Sequence, residues 1–348
     1  MARMTFDWAI VGAGPAGIAA VGKLLDHGIS PKKIAWVDPE FKAGDFGTTW
    51  KNVSSNTKIK LFLKYFESCE AFEYSTIAKN FDIKDLDPES TCLLSFAAKP
   101  LQKITEILKS KVHSIVGKVL DLKLHDRHWE VNLADVKIRS KNVVLAVGSE
   151  PKSLSFPSVE EIKLNTALDP EKLKLACHKD DTIGVFGSSH SAIIILRTLL
   201  EQCQIKKAVN FYLSPLRYAV YLNDWILFDD TGLKGTTAEW ARENIDGKLP
   251  AKLERVISIE ENIRTQLPLC NKVIYATGFQ RRLIPVEGLH KVEYNDRSGI
   301  IAPGLFGFGI AFPEAKLDRY GTLEYRVGLW KFMEYLNQAL PLWLQYGA

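Results

Sequence analysis

The run Gly12-Ala13-Gly14-Pro15-Ala16-Gly17 lies between a short apolar segment, Phe6–Val11, and a stretch with helical spacing, Ala16–His27. That arrangement constrains the fold more than any other feature of the chain. Gly12 permits a tight turn, Gly14 lets a ligand approach the backbone, and Gly17 lets the helix pack closely on the strand. The helix opens with unpaired N–H groups, which attract a diphosphate. A second apolar segment, Lys33–Val37, completes a βαβ unit, and Asp38 ends it. A carboxylate there accepts hydrogen bonds from ribose hydroxyls and repels a 2′-phosphate. Gly12, Gly14, Pro15, Ala16, Gly17 and Asp38 are therefore candidate contacts for a dinucleotide without that phosphate.

A second unit of the same kind opens at Thr182. Its strand is Thr182–Phe186, its helix Ser191–Cys203 and its next strand Ala208–Leu213. The connecting run is Gly187-Ser188-Ser189-His190-Ser191-Ala192, with Ser189 and Ala192 where the second and third glycines are expected. Alanine suits the packing position; serine is less comfortable at the approach position but keeps its N–H. The following strand ends at Ser214 without an acid, and Arg217 comes soon after. A missing carboxylate beside an arginine is the pattern for a 2′-phosphate, hence NADPH over NADH. His190 is either a contact to nicotinamide or phosphate or a plain helix cap. A decayed repeat that binds nothing is the alternative for the whole unit.

Two such units predict an α/β protein with two Rossmann-like dinucleotide-binding domains, the second inserted in the first. The expected division is 1–155 and 285–348 for the first domain and 156–284 for the second. Pro151 and Pro157 bracket the first crossing. Val112 to Gly148 alternates as a small antiparallel β-meander and returns to a buried strand at Asn142–Ala146. Gly44–Phe66 reads as a long loop, Lys99–Lys109 as a helix, and Ser214–Pro250 as a segment with few regular signals. A buried strand, Lys272–Tyr275, runs into Ala276-Thr277-Gly278-Phe279. Leu305–Gly309 and a helix from Thr322 to Gln338 close the chain.

The 348 residues carry a net charge of +4 and no basic run, which excludes nucleic acid as a partner. The five cysteines include no CxxC pair, so dithiol and zinc chemistry are not expected, and free thiols point to a reducing cytoplasm. The apolar start, Trp8–Leu25, is broken by the glycine run and is read as neither an export signal nor a membrane span. The sequence is compatible with a homo-oligomer.

At this point the residues resemble a known family. The glycine run with Asp38, Gly47-Thr48-Thr49-Trp50 and Asn56-Thr57-Lys58 are similar to segments of flavin-containing monooxygenases. The Gly187–Ala192 run resembles the nucleotide motif of those enzymes and of the N-hydroxylating monooxygenases of ornithine or lysine. Ala146-Val147-Gly148 and Ala276–Phe279 resemble the strand ends where such chains cross between domains. Asp229-Asp230-Thr231 resembles a run of the N-hydroxylating branch. The resemblance implies FAD in the first unit and NADPH in the second, with hydride passing between them. It adds Trp50, Gly148, Thr277, Gly278, Gly307 and Gly309 to the cofactor contacts. It also implies reaction with O2 as a C4a-(hydro)peroxyflavin, oxidation of nitrogen or sulfur in a small molecule, and Asn56 as the donor facing the peroxide. An Asx-turn is the plain alternative for Asn56. Three departures stand out: Phe46 precedes Gly47 where a paired glycine is usual, Val147 replaces threonine, and there is no room for a large substrate insertion. A flavin reductase or oxidase without oxygen insertion, or an FAD-binding redox sensor without turnover, are the other readings.

Overall fold

The computed structural model describes residues 4–156 and 158–345; Pro157 lies outside them. The chain divides into two compact units. The first comprises residues 1–51, 57–149 and 281–348; the second comprises 52–56 and 150–280.

In chain order, the first unit begins with β1 (Met4–Val11), α1 (Pro15–Asp26) and β2 (Ile34–Asp38), followed by a short helix, Gly44–Thr48, and another, Ile59–Phe66. Helix α2 (Leu94–Lys111) leads to β3 (His113–Val116), β4 (Val119–His125), β5 (His128–Leu133) and β6 (Lys137–Leu145). A crossing strand, β7 (Ser149–Pro151), precedes the second unit, which holds β8 (Glu160–Glu161), β9 (Thr182–Phe186), α3 (His190–Glu201) and β10 (Lys207–Tyr212). A small hairpin, β11 (Val220–Tyr221) with β12 (Ile226–Leu227), then gives way to β13 (Leu253–Ile257) and β14 (Lys272–Tyr275). The second crossing is β15 (Phe279–Arg281), and the first unit resumes with β16 (Ile300–Ala302) and β17 (Leu305–Gly307). It ends with a hairpin of β18 (Glu314–Leu317) and β19 (Leu323–Arg326), and with α4 (Leu329–Gln345).

The first sheet runs β16-β17-β6-β1-β2-β3, with every pair parallel except β16 with β17. Strand β6 is long enough to serve two partners on one edge. Its residues Lys137–Ser140 pair with β5 of the antiparallel meander, and Val143–Leu145 pair with β17. The second sheet, β13-β10-β9-β14-β8, is parallel throughout. Parallel strands covered on both faces read as continuous apolar runs, which is why β1, β2, β9 and β14 were visible in the sequence.

Sequence reading and structure part company in three places. The expected loop Gly44–Phe66 contains two helices. Ile59–Phe66 buries Ile59, Phe62, Tyr65 and Phe66, a helical spacing hidden among flanking lysines. The last helix starts at Leu329 rather than near Thr322, because Leu323–Arg326 alternates as a strand and Gly328 (φ +148) separates the two. Ser214–Pro250, expected to show few regular signals, holds the β11–β12 hairpin and a helix, Gly235–Ala241, and β13 follows it in a stretch to which the sequence assigned no element.

Helix α4 buries Leu329, Phe332, Met333, Leu336, Leu340 and Trp343 along one face, and it packs on α1. Trp343 stacks on Phe306 of β17 at 4.8 Å, and Phe306 stacks in turn on Trp8 of β1 at 5.9 Å. Burying a side chain of this size contributes roughly 1.5–3 kcal/mol. In the second unit, Phe186 of β9 and Phe211 of β10 stack at 4.5 Å with Tyr275 of β14 beside them. Among the described residues no helix is long and apolar enough to cross a membrane.

Candidate dinucleotide sites

Each unit carries one glycine-lined turn between a parallel strand, β1 or β9, and its first long helix, and the two turns are built alike. Gly12 has φ +110, and a Cβ there would lie 2.3 Å from the Ala146 carbonyl oxygen. Gly187 has φ +120, and its Cβ would lie 2.4 Å from the Ala276 carbonyl oxygen. The Gly12 N–H donates to Val37 at 2.8 Å and the Gly187 N–H to Phe211 at 2.8 Å. Only glycine fits either position.

At the packing position, a Cβ on Gly17 would fall 1.9 Å from the Gly12 carbonyl oxygen. Its counterpart Ala192 is buried, and its methyl would be 3.4 Å from a Cβ on Gly187. The second turn is thus wide enough for alanine. At the approach position, Gly14 is the N-cap of α1 with φ −77, and a Cβ there would meet nothing within 4 Å. Ser189 is the N-cap of α3 with φ −94, an extended conformation open to any residue. Backbone geometry therefore tolerates the serine. Pro15 opens α1 at a position where a missing N–H does no harm. Ala16 is buried; its methyl would be 2.5 Å from a Cβ on Gly309, which has φ +80. Gly307 makes room for the Phe312 ring, 2.3 Å from its would-be Cβ. Both late glycines thus have reasons within the protein itself.

Asp38 is buried at the end of β2. It accepts from the Ala13 N–H at 2.7 Å and from the Glu40 and Phe41 N–H groups at 2.8 and 2.7 Å. The carboxylate organises both the glycine turn and the turn after β2, and its remaining lone-pair capacity is what a ribose could use. The next segment returns to the turn: a Cβ on Gly44 (φ +60) would come within 2.9 Å of the Gly14 Cα. Gly148 (φ +73) lies beside the Arg282–Asp45 ion pair of 2.8 Å. Trp50 is half-buried, with its N–H donating to the Asp45 carbonyl at 2.9 Å.

In the second unit, Ser188 donates through Oγ to the Ser214 carbonyl at 3.2 Å, tying the turn to the end of β10. His190 is the first residue of α3, so the N-cap is Ser189 and not His190. Its ring is largely buried with Nε2 3.5 Å from the Ser54 carbonyl, and Nδ1 has no partner among the described residues. Burial lowers the imidazole pKa; the Ser54 carbonyl opposes that and Lys234 adds to it. Asn56 is exposed and belongs to the same short segment, residues 52–56, as Ser54. Arg217 is exposed; its guanidinium lies 4.6 Å from the Phe228 ring centroid and 3.4 Å from Thr231 Oγ1. Ser191 is in the first turn of α3. Thr277 donates to the Lys152 carbonyl at 3.4 Å, and Gly278 (φ +94) accepts from the Lys152 N–H at 3.0 Å.

Sequence reasoning missed the groups that hold the turns from behind. Trp36 of β2 donates from its indole to the Gly12 carbonyl at 2.9 Å. Asn210, at the matching register of β10, donates to the Gly187 carbonyl at 2.8 Å. The only signal was a polar residue inside an otherwise apolar strand.

The cysteines are free thiols. Burial pushes Cys69 up to about 12, and Cys92 and Cys270 up to about 11. Cys177 and Cys203 adjoin, and their shared hydrogen bond, then burial, raises Cys177. Cys203 follows the C-terminus of α3, a helix of 12 residues. Such a helix is about 18 Å long, so this pair lies at the end away from the glycine turn.

A family model described as pyridine nucleotide-disulphide oxidoreductase matches residues 6–195. Monooxygenase AgnR1 of Paecilomyces divaricatus is 35% identical, over 96% of this chain and 97% of that protein. Among solved structures, an ornithine N-hydroxylase of Kutzneria sp. 744 superposes with a TM-score of 0.70 at 12% identity, covering 98% of this chain and 99% of its own. A flavin-containing monooxygenase from Stenotrophomonas maltophilia gives 0.65 at 14% identity, covering 99% of each chain. With two matching glycine turns, each within a parallel βαβ unit, the chain belongs to the pyridine nucleotide-disulphide oxidoreductase family and is an FAD-dependent oxidoreductase of the flavoproteins with two dinucleotide-binding domains.

Proposed function

We propose that the chain is an NADPH-using flavin monooxygenase, with FAD held by the first unit and NADPH by the second. The relationship to a monooxygenase over nearly the whole length supports this reading. The observation that carries it is the pair of equivalent turns combined with a thiol pair at the wrong end of α3 for disulfide reduction. The open space at Gly14 fits a diphosphate, and the α1 N-terminus supplies N–H groups toward it. Asp38 favours a nucleotide with a free ribose. At the second turn, the absence of an acid after β10 and the exposed Arg217 favour a 2′-phosphate.

FAD, which Gly12, Gly14, Gly17 and Asp38 would hold, would supply oxygen activation at its C4a position after reduction by NADPH, for oxidation of nitrogen or sulfur in a small molecule. The chain's residues bind, orient and exclude water. A neutral His190 that donates from Nε2 toward Ser54 presents Nδ1 as an acceptor. An acceptor suits a carboxamide N–H or a hydroxyl rather than a phosphate. Asn56, two residues from Ser54, is the proposed amide donor at the reacting end.

The test is anaerobic reduction of the yellow protein with NADPH, followed by admission of oxygen in a stopped-flow cell. A transient oxygenated-flavin spectrum before reoxidation is expected. Direct reoxidation with stoichiometric hydrogen peroxide would make the protein an NADPH oxidase. Failure of NADPH to bleach the flavin would remove the second nucleotide from the reading.

A further inference from the structure

The two turns are alike in backbone but differ in how they are supported. Trp36 has an indole N–H, which can only donate, so its bond to the Gly12 carbonyl has one orientation. Asn210 carries an amide, which can turn over. Its Nδ2 donates to the Gly187 carbonyl at 2.8 Å and to the Val185 carbonyl at 3.0 Å. The flipped amide would put its oxygen against both carbonyls. Arg255 on β13 removes that choice, because its Nε donates to Asn210 Oδ1 at 2.9 Å and a guanidinium accepts nothing.

Arg255 is itself held in place. Its guanidinium lies 4.3 Å from the Tyr212 ring centroid. One terminal nitrogen is buried without a partner among the described residues, so no close carboxylate accounts for the arginine's position there. The neighbouring acid, Asp246, is instead engaged by the Tyr218 hydroxyl at 2.5 Å. Asn210 is fully buried, and Gly187 holds its φ of +120 where its carbonyl meets the amide.

We propose that Arg255 is a positioning residue for the second dinucleotide turn, acting through Asn210 to fix the Gly187 carbonyl and thereby the N–H groups at the start of α3. The inference rests on the reading that this turn holds NADPH. It predicts that nicotinamide dinucleotide affinity depends on a side chain two strands away from the turn.

The experiment compares the FAD-loaded wild type with Arg255→Met, Arg255→Lys, Asn210→Val and the double variant Arg255→Met/Asn210→Val. Readouts are the NADP+ dissociation constant, the KM for NADPH, the rate of flavin reduction at saturation, and thermal unfolding. Arg255→Met is expected to weaken NADP+ about tenfold and raise KM in step, with the saturated reduction rate within about twofold of wild type. Arg255→Lys, which keeps a donor, is expected to recover most of that loss. In the Asn210→Val background, Arg255→Met is expected to have no further effect on affinity. An unchanged NADP+ affinity in a thermally weakened Arg255→Met would overturn the proposal, as would an equal tenfold loss in the Asn210→Val background. A wild type that binds no NADP+ would instead refute the NADPH reading on which the inference rests.

Discussion

Replacing Gly14 and Gly17 separately with alanine distinguishes a glycine kept for a ligand from one kept for the fold. Both lie at the start of α1, Gly14 as its N-cap and Gly17 within its first turn, and at Gly17 helix propensity alone predicts that alanine stabilises by roughly 0.5–1 kcal/mol. At Gly14 the added methyl meets nothing within 4 Å, and φ is −77. The apoprotein should therefore change by no more than about 1 kcal/mol in either direction, loss of a glycine N-cap offsetting the smaller unfolded-state entropy. The methyl enters the space assigned to the diphosphate. Overpacking there by about 1–3 kcal/mol weakens FAD roughly five- to 150-fold. At Gly17 the methyl falls 1.9 Å from the Gly12 carbonyl oxygen, so α1 must retreat from β1 by about 1 Å. The apoprotein itself should lose roughly 3 kcal/mol or more, opposite in sign to the propensity argument. Thermal unfolding of both apoproteins and titration with FAD by flavin fluorescence measure the two effects. Gly14→Ala binding FAD within twofold of wild type, or Gly17→Ala as stable as Gly14→Ala, would refute the reasoning.

At the second turn the same logic runs in reverse. Ser189→Gly should tighten NADP+ binding several-fold without destabilising the fold by more than about 1 kcal/mol, measured by fluorescence titration. Arg217→Ala should raise the KM for NADPH at least tenfold more than that for NADH; equal effects would remove its role at a 2′-phosphate. Because burial depresses the His190 pKa, the unfolded chain binds the extra proton first. Stability from this group is full above about pH 6.5 and is lost as pH falls toward the depressed folded value, by at most about 1.4 kcal/mol per pH unit. Urea unfolding at pH 5.5 and 7.5 should show that slope in wild type and a smaller one in His190→Gln.

Both βαβ units were legible because their strands are unbroken apolar runs and their turns are punctuated by glycine, signals carried within about thirty residues. Other elements depend on distant partners. The Ile59–Phe66 helix shows its apolar face only once it packs in the core, and lysines at 58, 60 and 64 mask it in the sequence. Leu323–Arg326 was read as the start of a helix because local spacing does not reveal pairing with Glu314–Leu317. The glycines at 12 and 187 were recognised, but not the side chains behind them. Trp36 looked like one more apolar strand residue, and Asn210 and Arg255 meet only after β10 and β13 have aligned.

The interruption of the first sheet has a consequence for biosynthesis. Strand β6 emerges from the ribosome without its neighbour β17, which is encoded more than 150 residues later. The missing edge includes the bonds from the Val143 N–H to Gly304 and from the Trp129 indole to Pro303. The second unit is continuous apart from residues 52–56, so most of it can close while the first still has an open strand and an uncovered α1. Pairings so remote in sequence are slow to form and leave apolar edges available for aggregation meanwhile. Truncation between residue 281 and Trp343 should therefore yield a nascent chain whose first unit stays protease-sensitive even where its second unit resists.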